Sequence, residues 1–482
     1  MIRRTKIVAT LGPATDKPEV LQRLIKAGVN VVRLNFSHGK AEDHILRATQ
    51  VRELAAKSGR TVAILGDLQG PKIRIAQFKD GPIVLAVGDR FMLDASLEKT
   101  AGDQQQVGLD YSSLPAEVSA GDRLLLDDGR VVLQVEQVSG SKIETSVVVA
   151  GKLSNNKGIN REGGGLSAGA LTPKDYRDIE LAATIGVDYL AVSFVRSPDD
   201  LHEAREAYQR AGGNVGIVAK IERAEAVADN TLLDDIIRAS DVVMVARGDL
   251  GVEIGDAALI AVQKHLISRS RALQKVVITA TQMMESMIDS PLPTRAEVFD
   301  VANAVLDGTD AVMLSGETAA GGFPVEAVEA MDRIIMGAEC HPQSHVSEHR
   351  LHENFSAADE SVAMAAMYTA NHLTGVKAII SLTETGNTPL LMSRISSLIP
   401  IFAFTRSPKA ENRVALYRGV VPVTYNIAEV PSEQVNQSVI DELLQRGEVA
   451  EGDWVIISKG DFNNVHGGTN TMKIIKVGAA VS

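Results

Sequence analysis

Cysteine is almost missing from this 482-residue chain; Cys340 is the one present. That excludes an internal disulfide framework and any cysteine-based zinc site, and fits a reducing compartment. Aromatic residues make up 4% of the chain, with Trp454 the single tryptophan, too few rings for a base-stacking platform. Positive charge is also in deficit. A formal net charge of −12 disfavours nonspecific attraction to nucleic acid or to an anionic membrane. Long apolar runs are absent, those such as Val242 to Ala246 falling far short of the ~18 residues that span a bilayer. Ile7 to Leu11 is too short for a signal-peptide core, so the expectation is a cytoplasmic protein with no membrane partner. No G-x-x-x-x-G-K-[ST] occurs, which excludes a P-loop. Gly163 to Ala168 meets G-x-G-x-x-A but does not sit in a strand-to-helix turn of a compact βαβ unit.

What is present is an alternation of short apolar runs with longer amphipathic stretches, the pattern of parallel βαβ units. Strands are predicted at Lys6 to Leu11, Val31 to Phe36, Ala63 to Leu68, Tyr189 to Phe194, Gly216 to Ile221, Val242 to Ala246, Val276 to Ala280 and Ala311 to Ser315. Helices such as Pro18 to Ala27, Ala41 to Lys57, Ala224 to Ser240 and Thr294 to Leu306 lie between them, with Pro at several starts and Gly28, Gly59, Gly186 and Gly308 past the ends. Eight such units predict an α/β fold, a closed (β/α)8 TIM barrel. The third and fourth strands are too far apart for one crossover helix. The intervening segment has short alternating runs punctuated by Gly and Asp, which predict an inserted β-rich lid on the barrel's active face. Alternation resumes beyond the polar stretch His341 to Glu353, predicting an open α/β domain. The expected boundaries are 1–70 with 170–345 for the barrel, 71–169 for the lid and 346–482 for the C-terminal domain.

Side chains two apart on a strand share a face, so Arg33, Asn35 and Ser37 converge at the carboxyl end of one strand, and Lys220 and Glu222 at that of another. The next strand runs into Arg247-Gly248-Asp249, placing Asp249 beside Glu222. Two adjacent carboxylates repel unless a proton or cation lies between them, and oxygen ligands from two strand ends suit Mg²⁺ or Mn²⁺ with water and substrate completing the shell. Thr281 and Gln282 end the seventh strand, and Asp67 ends the third, followed by Lys72 and Arg74. Every polar cluster falls on the face that carries chemistry in this fold. Arg33, Lys72, Arg74 and Lys220 beside a divalent ion favour a small anion carrying phosphate and carboxylate, hence phosphoryl transfer. A Lys220 Schiff base, as in an aldolase, is the competing chemistry; an adjacent metal favours an electrostatic role.

The motifs Thr5 to Thr15 (TKIVATLGPAT), Val32 to Gly39 (VRLNFSHG), Ala219 to Val227 (AKIERAEAV), Met244 to Ile254 (MVARGDLGVEI), Ala280 to Met287 (ATQMMESM), Pro293 to Val298 (PTRAEV) and Met313 to Thr318 (MLSGET) closely resemble the pyruvate kinase family, bacterial type, along nearly the whole chain. The resemblance implies transfer of phosphoryl from phosphoenolpyruvate to ADP, giving pyruvate and ATP. It implies that Glu222 and Asp249 are Mg²⁺ (or Mn²⁺) ligands, that Lys220 stabilises the transferring phosphoryl group and that Arg33 contacts phosphate. Thr281 and the backbone of Gly248 and Asp249 would hold the carboxylate. Asn35, Ser37, His38, Arg74 and Lys157 would face the nucleotide. Asn35, Ser37, Asp67 and the carbonyl of Leu68 match the family's monovalent-cation positions, but lysine at position 72 replaces a glutamate, a change the family associates with potassium independence. K⁺ is therefore expected not to be required. Thr383, Glu384, Thr385, Gly386, Asn387 and Thr388 match an effector loop, implying activation by a phosphorylated metabolite. The family's usual homotetramer is also implied, with PTRAEV at the barrel interface. Rival expectations are a phosphoenolpyruvate mutase or metal-dependent aldolase, and a catalytically silent metabolite sensor on the same scaffold.

Overall fold

The computed structural model describes residues 2–344, 350, 352–460 and 468–479. Eight parallel strands, Lys6–Thr10, Val31–Asn35, Ala63–Asp67, Tyr189–Val192, Gly216–Ile221, Val242–Ala246, Val276–Ala280 and Ala311–Leu314, close into a barrel in which sequence order is spatial order. Each strand is apolar on both faces because one face fills the barrel and the other meets the helices. Val8, Val31, Leu65, Val218, Met244 and Ile278 fill the interior. Their neighbours Ile7, Val32, Ile64, Ile217, Val243 and Val277 pack against the surrounding helices.

One local expectation differs from the structure. The helix predicted over 224–240 is broken: Ala224–Ala228 and Asn230–Ala239 are separate helices. Asp229, extended at φ −123°, accepts from the Thr231 amide and so starts the second helix as its N-cap. After the sixth strand, Arg247–Ile254 forms a helix, which puts Asp249 in its first turn.

The insertion is β-rich. Its six-stranded sheet runs, in spatial order, Ile159–Arg161, Arg123–Leu126, Val131–Ser139, Lys142–Val149, Arg90–Asp94 and Gln106–Gly108, around a core that includes Phe91, Leu93, Leu124, Leu133 and Ile143. The lid touches the barrel mouth where the Gly163 amide donates to the Glu253 carbonyl at 3.0 Å and Arg223 donates to the Leu166 carbonyl at 2.7 Å.

The C-terminal sheet orders Val420–Thr424, Ile401–Thr405, Val376–Leu382 and Trp454–Gly460 in parallel, with Thr469–Lys476 antiparallel at one edge. Its interface with the barrel floor is dense. Arg394 pairs with Asp310, Arg4 donates to the Ser397 carbonyl at 2.7 Å, and Tyr189 donates to the Arg413 carbonyl at 2.7 Å. Of the predicted linker 341–353, residues 345–349 and 351 lie outside the described residues. Among the described residues no helix is long and apolar enough to cross a membrane.

Candidate active site

The charged cluster follows from strand parity. Val8, Val31, Leu65 and Val218 face the barrel interior, and two residues further along the same strands come Thr10, Arg33, Asp67 and Lys220. These meet in one polar layer. Arg33 donates from Nε to Asp67 Oδ2 at 2.6 Å and from Nη1 to Thr10 Oγ1 at 3.1 Å. The Lys220 ammonium lies 2.9 Å from Glu222 Oε1 and 3.3 Å from Asp67 Oδ1. It also donates to Ser193 Oγ at 2.7 Å, and Ser193 donates onward to the Leu68 carbonyl at 2.8 Å. The Phe194 amide donates to the other Glu222 oxygen at 2.7 Å.

Burial alone would push the Asp67 carboxyl up, yet Lys220 and Arg33 outweigh it and hold that group below its ordinary value. Burial would lower Lys220, but Asp67 and Glu222 keep its amine raised and charged. The layer therefore presents a fixed ammonium with little water around it, where each charge acts more strongly than in solvent.

Glu222 behaves differently. Burial raises its carboxyl, and although Lys220 opposes this, the charge of Asp249 adds to the rise. Two carboxylates that repel, each with an oxygen lone pair still available, are the donor set of a hard divalent ion. No group of three or more His, Cys, Asp or Glu side chains suited to a metal lies among the described residues. Lys72 completes the charge balance, its ammonium 3.0 Å from Asp249 Oδ1. Burial works against the charge on Lys72, while Asp249, Asp128 and Glu222 hold its amine above the ordinary value. A cleft of about 880 Å³ opens here between lid and barrel, lined by Lys72, Asp128, Gly248 and Asp249.

On the adjoining side, the Gly248 amide donates to Thr281 Oγ1 at 2.8 Å, and that hydroxyl donates to the Ala280 carbonyl at 2.7 Å. Thr281 and Gln282 both sit in the left-handed region, at φ 66° and 52°, where non-glycine residues are strained. Arg247 holds them there. Its Nη2 donates to the Thr281 carbonyl at 2.7 Å and the Gln282 carbonyl at 3.1 Å, while Nη1 reaches Asp300 at 2.7 Å. Gly70, at φ 66°, is needed where the chain leaves the third strand: a Cβ there would lie 2.8 Å from the Ser193 Cβ.

The predicted residues are not all brought together. Lys157 pairs with Asp127 at 2.8 Å and Arg74 donates to the Asn156 carbonyl at 3.0 Å, both contacts within the lid. His38 is exposed, and its carbonyl bonds to His44 Nε2 at 2.9 Å. Asn35 Oδ1 accepts from the Ser37 amide at 3.1 Å. In the C-terminal domain, Thr383 Oγ1 accepts from the Gly386 amide at 2.9 Å, Glu384 pairs with Arg406 at 3.0 Å and Asn387 donates to Asp359 at 3.0 Å. Thr385 Oγ1 accepts from the Asn387 amide at 3.4 Å, and Thr388 shares a bond with Thr469 at 2.7 Å. Ser193, Thr10 and Arg247 were missed by sequence reasoning. Each left a visible signal: Arg247 is a cation directly after five apolar residues, and Thr10 and Ser193 lie two beyond the interior residues Val8 and Ala191.

A family model described as "Pyruvate kinase, barrel domain" matches residues 2–328, and "Pyruvate kinase, alpha/beta domain" matches residues 360–475. The chain belongs to the pyruvate kinase family. Its relatives include "Pyruvate kinase II" of Salmonella typhimurium, 60% identical over 99% of both chains, and "Pyruvate kinase" of Haemophilus influenzae, 61% identical over 95% of this chain and 96% of that one. A "Pyruvate kinase" of Buchnera aphidicola from Acyrthosiphon pisum is 54% identical over 99% of both. At this identity and coverage the chain is a pyruvate kinase enzyme, with phosphoenolpyruvate and ADP as substrates. Closed barrel, β-rich insertion and C-terminal α/β sheet are the architecture of that family.

Proposed function

We propose that Lys220, fixed between Asp67 and Glu222, stabilises the phosphoryl group in flight while Arg33 contacts phosphate. The single observation that carries this is the ammonium at 2.9 Å and 3.3 Å from two buried carboxylates. Glu222 and Asp249 hold Mg²⁺ or Mn²⁺, which when bound supplies charge neutralisation to the phosphoryl oxygens. The Gly248 amide exchanges its bond to Thr281 for the substrate carboxylate, and the Thr281 hydroxyl turns its one proton from the Ala280 carbonyl to the same carboxylate. With that proton committed, Thr281 orients a water for enolate protonation and does not itself act as the acid. Asn35, Ser37, His38, Arg74 and Lys157 face the nucleotide once the lid closes and excludes water. A coupled assay of pyruvate formation tests the whole reading: ADP-dependent release from phosphoenolpyruvate supports it, and ADP-independent turnover points to a mutase or aldolase.

The same proposal takes the units as 1–70 with 170–345, 71–169 and 346–482, acting in the cytoplasm, with the loop of Thr383 to Thr388 receiving a phosphorylated effector. If Thr383→Ala and Thr385→Ala leave every sugar-phosphate and nucleotide response unchanged, that loop has another role. A homotetramer is supported by apolar residues at the PTRAEV segment: Phe299 is 75% exposed and Leu292 67%. Phe299→Glu is expected to shift the sedimenting species to a smaller oligomer, because a charge is placed in the contact's apolar centre. An unchanged sedimentation coefficient would locate the interface elsewhere.

A further inference from the structure

Glu253 sits near the end of the helix Arg247–Ile254, four residues and so about one turn beyond Asp249. It is a buried carboxylate at the wall of the cleft, and it joins three pieces of chain. Its Oε2 accepts from the Ala224 amide at 2.8 Å. Ala224 opens the helix that follows Glu222, and Arg223 in the N-cap position gives it no side-chain cap among the described residues, so Glu253 supplies an acceptor which that helix start needs. Its Oε1 accepts from Asn160 Nδ2 at 3.3 Å, on the lid strand Ile159–Arg161. Its carbonyl accepts from the Gly163 amide, where the lid returns to the barrel.

This return segment is the run Gly163 to Ala168, which matches G-x-G-x-x-A outside its usual setting. Gly163, Gly164 and Gly165 lie in the left-handed region, at φ 80°, 80° and 92°, and the Gly165 amide bonds to the Glu225 carboxylate. A Cβ on Gly164 would come within 2.5 Å of Glu225 Oε2, so glycine is needed for the chain to pass this close. Glu225 therefore ties the lid to the segment that carries Glu222. Glu253 ties the lid to the segment that carries Asp249, and ties the two segments to each other.

We propose that Glu253 is a positioning residue through which the seating of the lid at Asn160 sets the spacing of Glu222 and Asp249. The proposal rests on the reading of those two carboxylates as ligands of one divalent ion and deepens it: the ion is held tightly only while the lid is docked. A buried carboxylate with both oxygens in hydrogen bonds is held in one orientation. A shift of Asn160 is then felt at Ala224, two residues from Glu222, and one helical turn away at Asp249.

Electron paramagnetic resonance titration of the full chain with Mn²⁺ and phosphoenolpyruvate, in alkaline buffer that keeps acids ionised, tests this on Asn160→Asp and Asn160→Leu. Both side chains are close to asparagine in size, and the bond between Glu253 and Ala224 is left in place. Aspartate sets a second carboxylate against Glu253; leucine removes the donor. Each is expected to weaken Mn²⁺ binding by about tenfold, the scale of one hydrogen bond to a buried charge. The sign in Asn160→Asp discriminates, because an added negative charge acting only through space would tighten a cation. Adding Glu253→Gln to Asn160→Asp again sets a donor against an acceptor at the wild-type net charge, and should bring affinity back to within about threefold of wild type. If the Asn160 variants lower the metal-free melting temperature but bind Mn²⁺ as the wild type does, Glu253 is merely structural and the proposal is overturned. It is overturned equally if Asn160→Asp tightens Mn²⁺ binding or if Glu253→Gln restores none of the loss. Glu222→Gln separates this failure from that of the metal pair. Weakened binding there beside unaffected Asn160 variants removes the lid coupling and leaves the pair standing, whereas unaffected binding in all of them removes both.

Discussion

Lys220→Met is expected to lower the rate of phosphoryl transfer by about 10³-fold or more, the scale of losing a fixed charge at a transferring phosphoryl group. The ammonium it removes is buried and held charged by Asp67 and Glu222 together. Methionine keeps the volume but leaves two acids facing an apolar chain. Asp67 retains Arg33 at 2.6 Å, so the barrel mouth stays partly neutralised and the protein should still fold, with a lower melting temperature. Proton exchange of pyruvate, which needs the carboxylate site and an ordered water but no phosphoryl charge, should be partly retained. Equal loss of transfer and exchange would contradict this division of labour.

Lys72→Glu is the second large effect. In the native chain an ammonium sits 3.0 Å from Asp249, and the wild-type enzyme is expected to turn over as well without K⁺ as with it. Glutamate there would face Asp249 and Glu222 with a third negative charge. Activity in K⁺-free buffer should then fall by about tenfold or more, since like charges at this range oppose one another's ionisation, and K⁺ should restore it. Asn35, Ser37 and Asp67 are still present to receive such an ion, although Asp67 already serves Arg33 and Lys220. Strong activation of the wild-type enzyme by K⁺, or a Lys72→Glu variant indifferent to it, would count against the role given to Lys72.

How much of this was legible in the chain depends on the range over which each signal acts. Strand parity is local, so counting by two placed Arg33 with Asn35 and Ser37, and Lys220 with Glu222, at strand carboxyl ends; that Arg33 and Lys220 both meet Asp67 was not read from it. The barrel and its interruption followed from the same periodicities. Contacts set by turns were not legible. Phe194, whose amide donates to Glu222, adopts φ 56°, and no residue pattern announces a left-handed phenylalanine. Arg247 was visible as a cation after an apolar strand, but its partners lie in the turn after the next strand and at Asp300. The break at Asp229 was missed because Ala224 to Ser240 keeps a helical apolar period across it. The lid cations show the opposite limit: Arg74 and Lys157 were read as pointing to substrate, whereas in this conformation each is held by lid atoms nearby.

The central claim is that Glu222 and Asp249 jointly hold one divalent ion beside Lys220. Electron paramagnetic resonance titration of Mn²⁺ reads this without catalysis, on the wild-type chain and on Glu222→Gln and Asp249→Asn. The account predicts one tight site in the presence of phosphoenolpyruvate, weakened about 100-fold by either substitution as an anionic ligand is lost. Undiminished Mn²⁺ affinity in both variants would contradict it.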